Sequence, residues 1–315
     1  MAGTLIVSLD FELFWGMLDI CPLEKYRANV LGGRKAIAQT LELFQKYGIH
    51  ATWATVGFQF AENPEELKTF FPELRPSYQN KELDPYAYLE TIRKEDYDCF
   101  FGPELLREIT AVSGQEIGSH TFSHFYCREA GQTLEQFAAD MNAARAIGKA
   151  KGFDLKSVVL PRNQCEPEYT KILKETGFSV YRDEENDWIH DKIKFTPLRR
   201  IFRLADVYLP LTGQGGYHPK IEGGICNVTG SRMYKPIFAP LAFAEGLKIR
   251  RIKRQMLHAA KNGLTFHLWW HPHNVGVRTE AHMAQLEEIF RYYSELKEQY
   301  AMQSLNMEEV ADLLS

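Results

Sequence analysis

The chain of 315 residues is 45% apolar and 25% charged, with a formal net charge of −4. This is the composition of an ordinary globular protein, long enough for a barrel-sized core. The acidic balance leaves no electrostatic footprint for nucleic acid. The five cysteines include no Cys-x2-Cys pair and fit reduced thiols. The first ten residues enter an apolar run without a basic n-region, and no stretch is long enough to span a bilayer. A cytoplasmic protein with no transmembrane segment is expected.

Residues 5–9 are a short apolar run of the kind that makes a strand buried on both faces. It ends in Asp10-Phe11-Glu12, whose two acids share one side if the extended backbone persists. A helical period over 34–47 stops at Gly48, and 50–56 reads as a second strand. Asn63-Pro64-Glu65-Glu66 starts a helix with an N-cap, a first-turn proline and acids at the positive dipole end. Residues 70–101 are rich in aromatics without a period, which reads as a long excursion over a binding cleft.

A helix opens at Pro103 and a strand covers 115–118. Behind it stands Ser119-His120-Thr121-Phe122-Ser123-His124. On a helical turn two imidazoles four apart reach one point, and neutral imidazole is a common metal ligand. An isolated pair of this spacing is equally what a helix surface or cap displays. The clearest helix covers 133–151. The strand 157–160 leads into Pro161-Arg162-Asn163-Gln164, and the helix 166–176 and strand 178–181 lead into an acidic run that closes on Asp187-Trp188.

The pattern is poor over 190–240, and its glycines at 213–216 lack the third glycine or the lysine of a nucleotide-binding loop. An amphipathic helix at 241–262 carries Lys248, Arg250, Arg251, Lys253 and Arg254. Such a run reads as a solvated face, with phosphate or anionic-membrane contact as the other reading. The apolar strand 264–270 ends in His271-Pro272-His273-Asn274, and two more helices flank a short strand near Ser304.

Strands and helices alternate seven or eight times, which argues for a parallel, closed or nearly closed α/β barrel. In such barrels chemistry collects at the C-terminal ends of the strands. Asp10/Glu12, His120/His124, Arg162, Asp183/Asp187 and His271/His273 all fall there. Glu12, His120 and His124 form a two-histidine, one-carboxylate set that leaves metal positions open. Such a metal polarises a carbonyl and acidifies water, with Asp10 placed to take the proton and His271 to return one. A cation at Arg162 near Asp10 keeps that acid ionised.

With these residues in place the chain resembles the polysaccharide deacetylases of carbohydrate esterase family four. Asp10-Phe11-Glu12 matches the acidic pair closing strand one, His120 to His124 the His-Ser/Thr-x-x-His motif, and Leu268-Trp269-Trp270-His271 the Leu-x-x-His motif. Pro161-Arg162-Asn163-Gln164 keeps the arginine of the third motif and lacks its tyrosine, leaving the oxyanion donor unassigned. The resemblance implies a distorted (β/α)7 barrel that hydrolyses acetyl groups from glycans. Asp10 would be the base, Glu12, His120 and His124 the ligands of a divalent metal (Zn2+, with Co2+, Ni2+ or Fe2+ as alternatives), and His271 the acid. Asp187 would support that acid and Trp188 would wall the acetyl methyl, with Trp270 and His273 as further substrate-pocket candidates.

A single domain over 1–315 is expected, with excursions near 59–101 and 190–255. The expected partner is an acetylated saccharide, nucleotide- or lipid-linked and belonging to surface-polysaccharide biosynthesis. Two alternatives stay open: a C–N hydrolase of a small linear or cyclic amide on the same fold, and a non-catalytic glycan-binding relic.

Overall fold

Val7, Leu9 and Phe11 alternate with Ser8 and Asp10 along the first strand, and every one of them is buried. A strand covered on both faces calls for a ring of parallel neighbours with helices outside. The computed structural model describes residues 2–184, 188–193 and 195–314. Its strands are β1 (Thr4–Phe11), β2 (Ala51–Thr55), β3 (Gln115–Ser119), β4 (Ser157–Val159) and β5 (Val180–Asp183), then β6 (Lys220–Glu222), β7 (Ile225–Thr229), β8 (Arg232–Met233), β9 (Thr265–Trp270) and β10 (Gln303–Leu305).

Parallel pairing runs β9-β1-β2-β3-β4-β5-β7. β7 and β8 are separated only by Gly230 and Ser231, yet β7 pairs with β5 while β8 pairs with β9. At the crossing the Gly230 N–H donates to the Asp183 carbonyl (3.1 Å) and the Ser231 N–H to the His267 carbonyl (2.9 Å). One bent stretch of chain therefore touches both neighbours and closes a ring of seven parallel positions, a distorted (β/α)7 barrel. β3 and β4 share a single residue pair, which is the most open seam. β6 adds an antiparallel edge to β7, and β10 is a further parallel partner of β1.

The helix Leu23–Tyr47 begins well before the stretch that periodicity predicts. Gly32 and Gly33 interrupt its apolar period, and the structure supplies the reason. The turn Pro272–Val275, which follows β9, lies directly against them. A Cβ on Gly32 would fall 1.9 Å from the Gly276 carbonyl oxygen, and one on Gly33 would fall 2.8 Å from the His273 Cα. Bare backbone at two helix positions thus seats the loop that carries His271.

The aromatic excursion packs on the core, and its end, with Tyr97 and Phe101, borders a cavity of about 190 Å3. It folds as short helices, Pro64–Lys68, Lys81–Leu83, Pro85–Leu89 and Lys94–Cys99, over an aromatic extension of the main core. There Phe58 meets Trp15, Tyr86 and Phe122 edge-on, with centroids 4.8–5.2 Å apart. The poorly patterned segment is also more ordered than its sequence suggests, with a helix at Thr196–Tyr208 and three of the strands. Its period is obscured because Leu198, Ile201 and Leu204 point outward.

Alanine for glycine in an open helix stabilises by up to about 1 kcal/mol. Gly32→Ala is expected to do the reverse here, lowering stability by about 1–3 kcal/mol through overpacking. Urea denaturation measures it, and an unchanged or higher midpoint would contradict the packing described.

Candidate active site

Two carboxylates stand side by side at the C-terminal end of β1. Asp10 and Glu12 are each only 4% exposed. Buried charge of this kind is costly unless paired. Asp10 is paired by Arg182 of β5, whose Nη1 donates to Oδ1 at 2.7 Å and Nη2 to Oδ2 at 2.8 Å. The fork is itself over-determined. Nη1 also donates to Ser8 Oγ (2.9 Å), Nη2 to Asn163 Oδ1 (2.9 Å), and the guanidinium lies 4.2 Å from the Trp269 ring. His267 Nε2 completes the chain at 2.8 Å from Ser8 Oγ. Burial opposes ionisation of Asp10, but the Arg182 charge, followed by that of His271, holds its carboxyl below the usual carboxylate range.

Glu12 has no such arginine. Its Oε2 is 3.0 Å from His124 Nε2 and 3.4 Å from His120 Nε2. Its Oε1 is 3.6 Å from His271 Nε2 and 3.8 Å from His273 Nε2. Burial again resists ionisation, while the His271 charge and the hydrogen bonds of His120 and His124 hold the carboxyl well below its ordinary value. Burial pushes His124 the other way, toward the neutral ring. An ionised carboxylate facing neutral imidazole is the protonation state that a divalent cation requires.

The residues fit such an ion. Ligand atoms of Glu12, His120 and His124 lie within 4.8 Å of one another, all three residues are buried, and the Nδ1 atoms of both histidines have no hydrogen-bond partner among the described residues. Gly16 leaves room for the carboxylate, since a Cβ there would fall 2.2 Å from it.

The histidine pair does not sit on a helical turn. It occupies a loop after β3 in which Thr121 and His124 are left-handed, with φ of 65° and 57°. The loop is pinned by Asp140 on the helix Leu134–Ala150. This buried carboxylate accepts the Phe122 N–H at 2.7 Å, the Ser123 N–H at 3.2 Å and the Ser123 hydroxyl. Thr121 Oγ1 accepts the Phe125 N–H at 2.7 Å. Strained backbone held by side-chain acceptors, not helical geometry, brings the two rings to one point.

Several expected site residues lie elsewhere. Arg162 does not reach Asp10. It follows a proline and has φ of 58°, which turns it outward to Asp19, Glu129 and the face of Tyr126. Trp270 is fully buried between Phe44 and Tyr234, outside the ring, so it cannot line a substrate pocket. Its neighbour Trp269 shares the side of β9 that bears His267 and His271. His273 is 4% exposed and packed behind Glu12, with Nδ1 3.1 Å from the Leu13 carbonyl, so it is not a pocket residue either. Burial pushes it down to about 4, a neutral ring at ordinary pH.

Trp188 stands apart from the acids. It donates to the Leu211 carbonyl (2.9 Å) and lines a cavity of about 690 Å3 with Asp183 and Asn227. Asp187 lies outside the described residues. The group seen on His271 Nδ1 is the Asn274 amide, at 3.3 Å, with the Tyr26 hydroxyl donating to its Oδ1 at 3.2 Å. Among the acids and imidazoles His271 is the most open, its side chain 20% exposed.

The polysaccharide deacetylase model matches residues 19–181, just over half of the chain. The chain therefore belongs to the polysaccharide deacetylase family, hydrolases that cleave an amide bond to release acetyl from a sugar. The match leaves out β1 and the His271 turn, which the geometry above joins to the His120/His124 loop. No curated protein matches the chain in sequence.

Solved structures share the fold at low identity. A candidate polysaccharide deacetylase from Mycobacterium smegmatis is 14% identical, with a TM-score of 0.62 over 99% of this chain and 91% of that one. A probable polysaccharide deacetylase from Pseudomonas aeruginosa PAO1 is 12% identical, with a TM-score of 0.59 over 98% and 89%. Puue allantoinase is 12% identical, with a TM-score of 0.58 over 98% and 88%.

The two arginines separate cleanly by experiment. Arg182→Met leaves Asp10 buried and uncompensated, and is expected to cost about 3–5 kcal/mol of stability. Arg162→Met loses two part-exposed pairs, to Asp19 and Glu129, each worth under about 1 kcal/mol. Chemical denaturation of both variants checks this, and equal losses would contradict the assignment of Arg182.

Proposed function

We propose that the chain is a metal-dependent deacetylase of an N-acetylated sugar, with Glu12, His120 and His124 as the ligand set. The observation that carries this reading is the double environment of Glu12, one oxygen toward His120 and His124 and the other toward His271. A bound divalent cation, Zn2+ by preference or Co2+, Ni2+ or Fe2+, supplies a polarised acetyl carbonyl and a more acidic water. Asp10 takes the proton of the attacking water. Arg182 keeps that carboxylate ionised and fixed through both oxygens, which makes it a weak base suited only to a water already acidified.

His271 Nε2, 3.7 Å from Asp10 Oδ2, hands a proton to the sugar nitrogen as the amide bond breaks. Asn274, steadied by Tyr26, fixes the tilt of the His271 ring. The cavity beside Trp188, about 690 Å3, is of a size to take saccharide units. Its mixture of one indole with carboxyl, amide and hydroxyl groups suits sugar faces and edges. A nucleotide- or lipid-linked sugar of surface-polysaccharide assembly fits this reading.

The test is metal content by elemental analysis together with acetate release from N-acetylglucosamine oligosaccharides. His271→Ala should keep the metal and lose turnover by about 10²–10⁴-fold. Glu12→Ala should lose both. Protein without bound metal and without acetate release would overturn the proposal. Hydrolysis of a small cyclic or linear amide instead would keep the machinery and change the substrate.

A further inference from the structure

Exposed apolar and basic residues collect in one segment of the chain, and its two helices and the turn between them carry most of them. Nine of the sixteen exposed large apolar side chains among the described residues fall between 195 and 254, a fifth of the chain. Phe243 is 87% exposed, Phe195 68% and Ile201 64%. The same sixty residues hold eleven Lys and Arg against three Asp and Glu, in a protein of net charge −4. Two of the three acids, Asp206 and Glu245, are buried and taken up by Arg232, Arg251 and Lys248. What remains outside in this segment is mostly cationic: Arg203 pairs with Glu184 and Lys253 with Glu288 from outside it, while Arg199, Arg200, Arg250 and Arg254 stand against Glu222 alone within it.

The elements are contiguous. Helix Thr196–Tyr208 packs on helix Glu245–Asn262, and the turn Ala239–Ala244 leads into the latter. On the first helix Arg200, Ile201, Arg203 and Leu204 all face solvent. Where the two helices meet, Leu209 and Leu247 rim a cavity of about 520 Å3 together with Arg250 and Arg254. Long basic side chains interleaved with exposed Leu, Ile and Phe are the composition of a surface that lies in a bilayer interface, apolar tips in the acyl boundary and guanidinium groups at the lipid phosphates. No helix among the described residues is long and apolar enough to cross a membrane.

We propose that the 195–254 face docks on an anionic lipid surface. Charge complementarity selects this occupant over a second copy of the chain, since two such faces would repel. Arg203 on this face also lines the cavity that reaches Trp269, beside Arg182, so docking sets the barrel mouth next to the headgroups. The inference does not depend on the catalytic reading.

The experiment is sedimentation of the full chain with vesicles of phosphatidylcholine and phosphatidylglycerol in equal parts, and with phosphatidylcholine alone. Binding is expected to the anionic vesicles, to fade at molar salt, and to be weak on neutral ones. Loss of each cation should weaken partitioning about fivefold. The double variants Arg200→Glu/Arg250→Glu and Ile201→Ser/Phe243→Ser should each lower it by roughly tenfold or more while keeping the melting temperature. No binding to anionic vesicles, binding unmoved by both variants, or a stable dimer that both variants dissociate would overturn the proposal.

Discussion

The chain buries two carboxylates two residues apart in the interior of a barrel, Asp10 within β1 and Glu12 just past its end. Neither can stay ionised there without compensation, and two at such spacing raise the demand further. The structure meets it unequally. Asp10 receives a full guanidinium fork from Arg182, which is locked in turn by Ser8, Asn163 and Trp269. Glu12 receives only imidazoles. That asymmetry divides the labour within the site. One carboxylate has a fixed partner and a settled charge, and the other faces the imidazoles proposed above to hold a cation with it.

Much of the remaining architecture exists to hold imidazoles around Glu12. The β3 loop bends through two left-handed residues, and a buried Asp140 accepts the hydrogen bonds that such a bend exposes. The His271 turn is seated by removing side chains from the middle of the long first helix at Gly32 and Gly33, at a cost in helix propensity. Closure of the ring through Gly230 and Ser231 brings β9 beside β8 and keeps His267 and Trp269 facing inward. Each device gives up local regularity to fix a ring orientation, which is where positional precision matters for catalysis.

The sequence reveals the alternation of strands and helices, and hence the barrel, because hydrophobic period is a local property. It also reveals which strand ends carry acids and imidazoles. It does not reveal which of two strand-end arginines turns inward, because that is set by backbone beyond the strand. Pro161-Arg162 turns away through a positive φ, whereas Arg182 lies within β5 and has no route but the interior. An arginine inside a short strand, preceded by the buried Val180 and Tyr181, is a readable signal of a buried ion pair. The period-two rule likewise separates Trp269 from Trp270 once His271 is taken as inward. Asp140 is harder to find, since an acid on an amphipathic helix reads as solvent-facing until the loop above it is known.

Metal and ligand identity come together in X-ray absorption at the metal edge of the purified protein. The account predicts a first shell of light N and O donors that includes two imidazoles, reduced to one imidazole in His120→Ala or His124→Ala and abolished in Glu12→Ala. A shell without imidazole, a sulfur shell, or a spectrum unchanged by Glu12→Ala would contradict the central claim that Glu12 is the meeting point of the site.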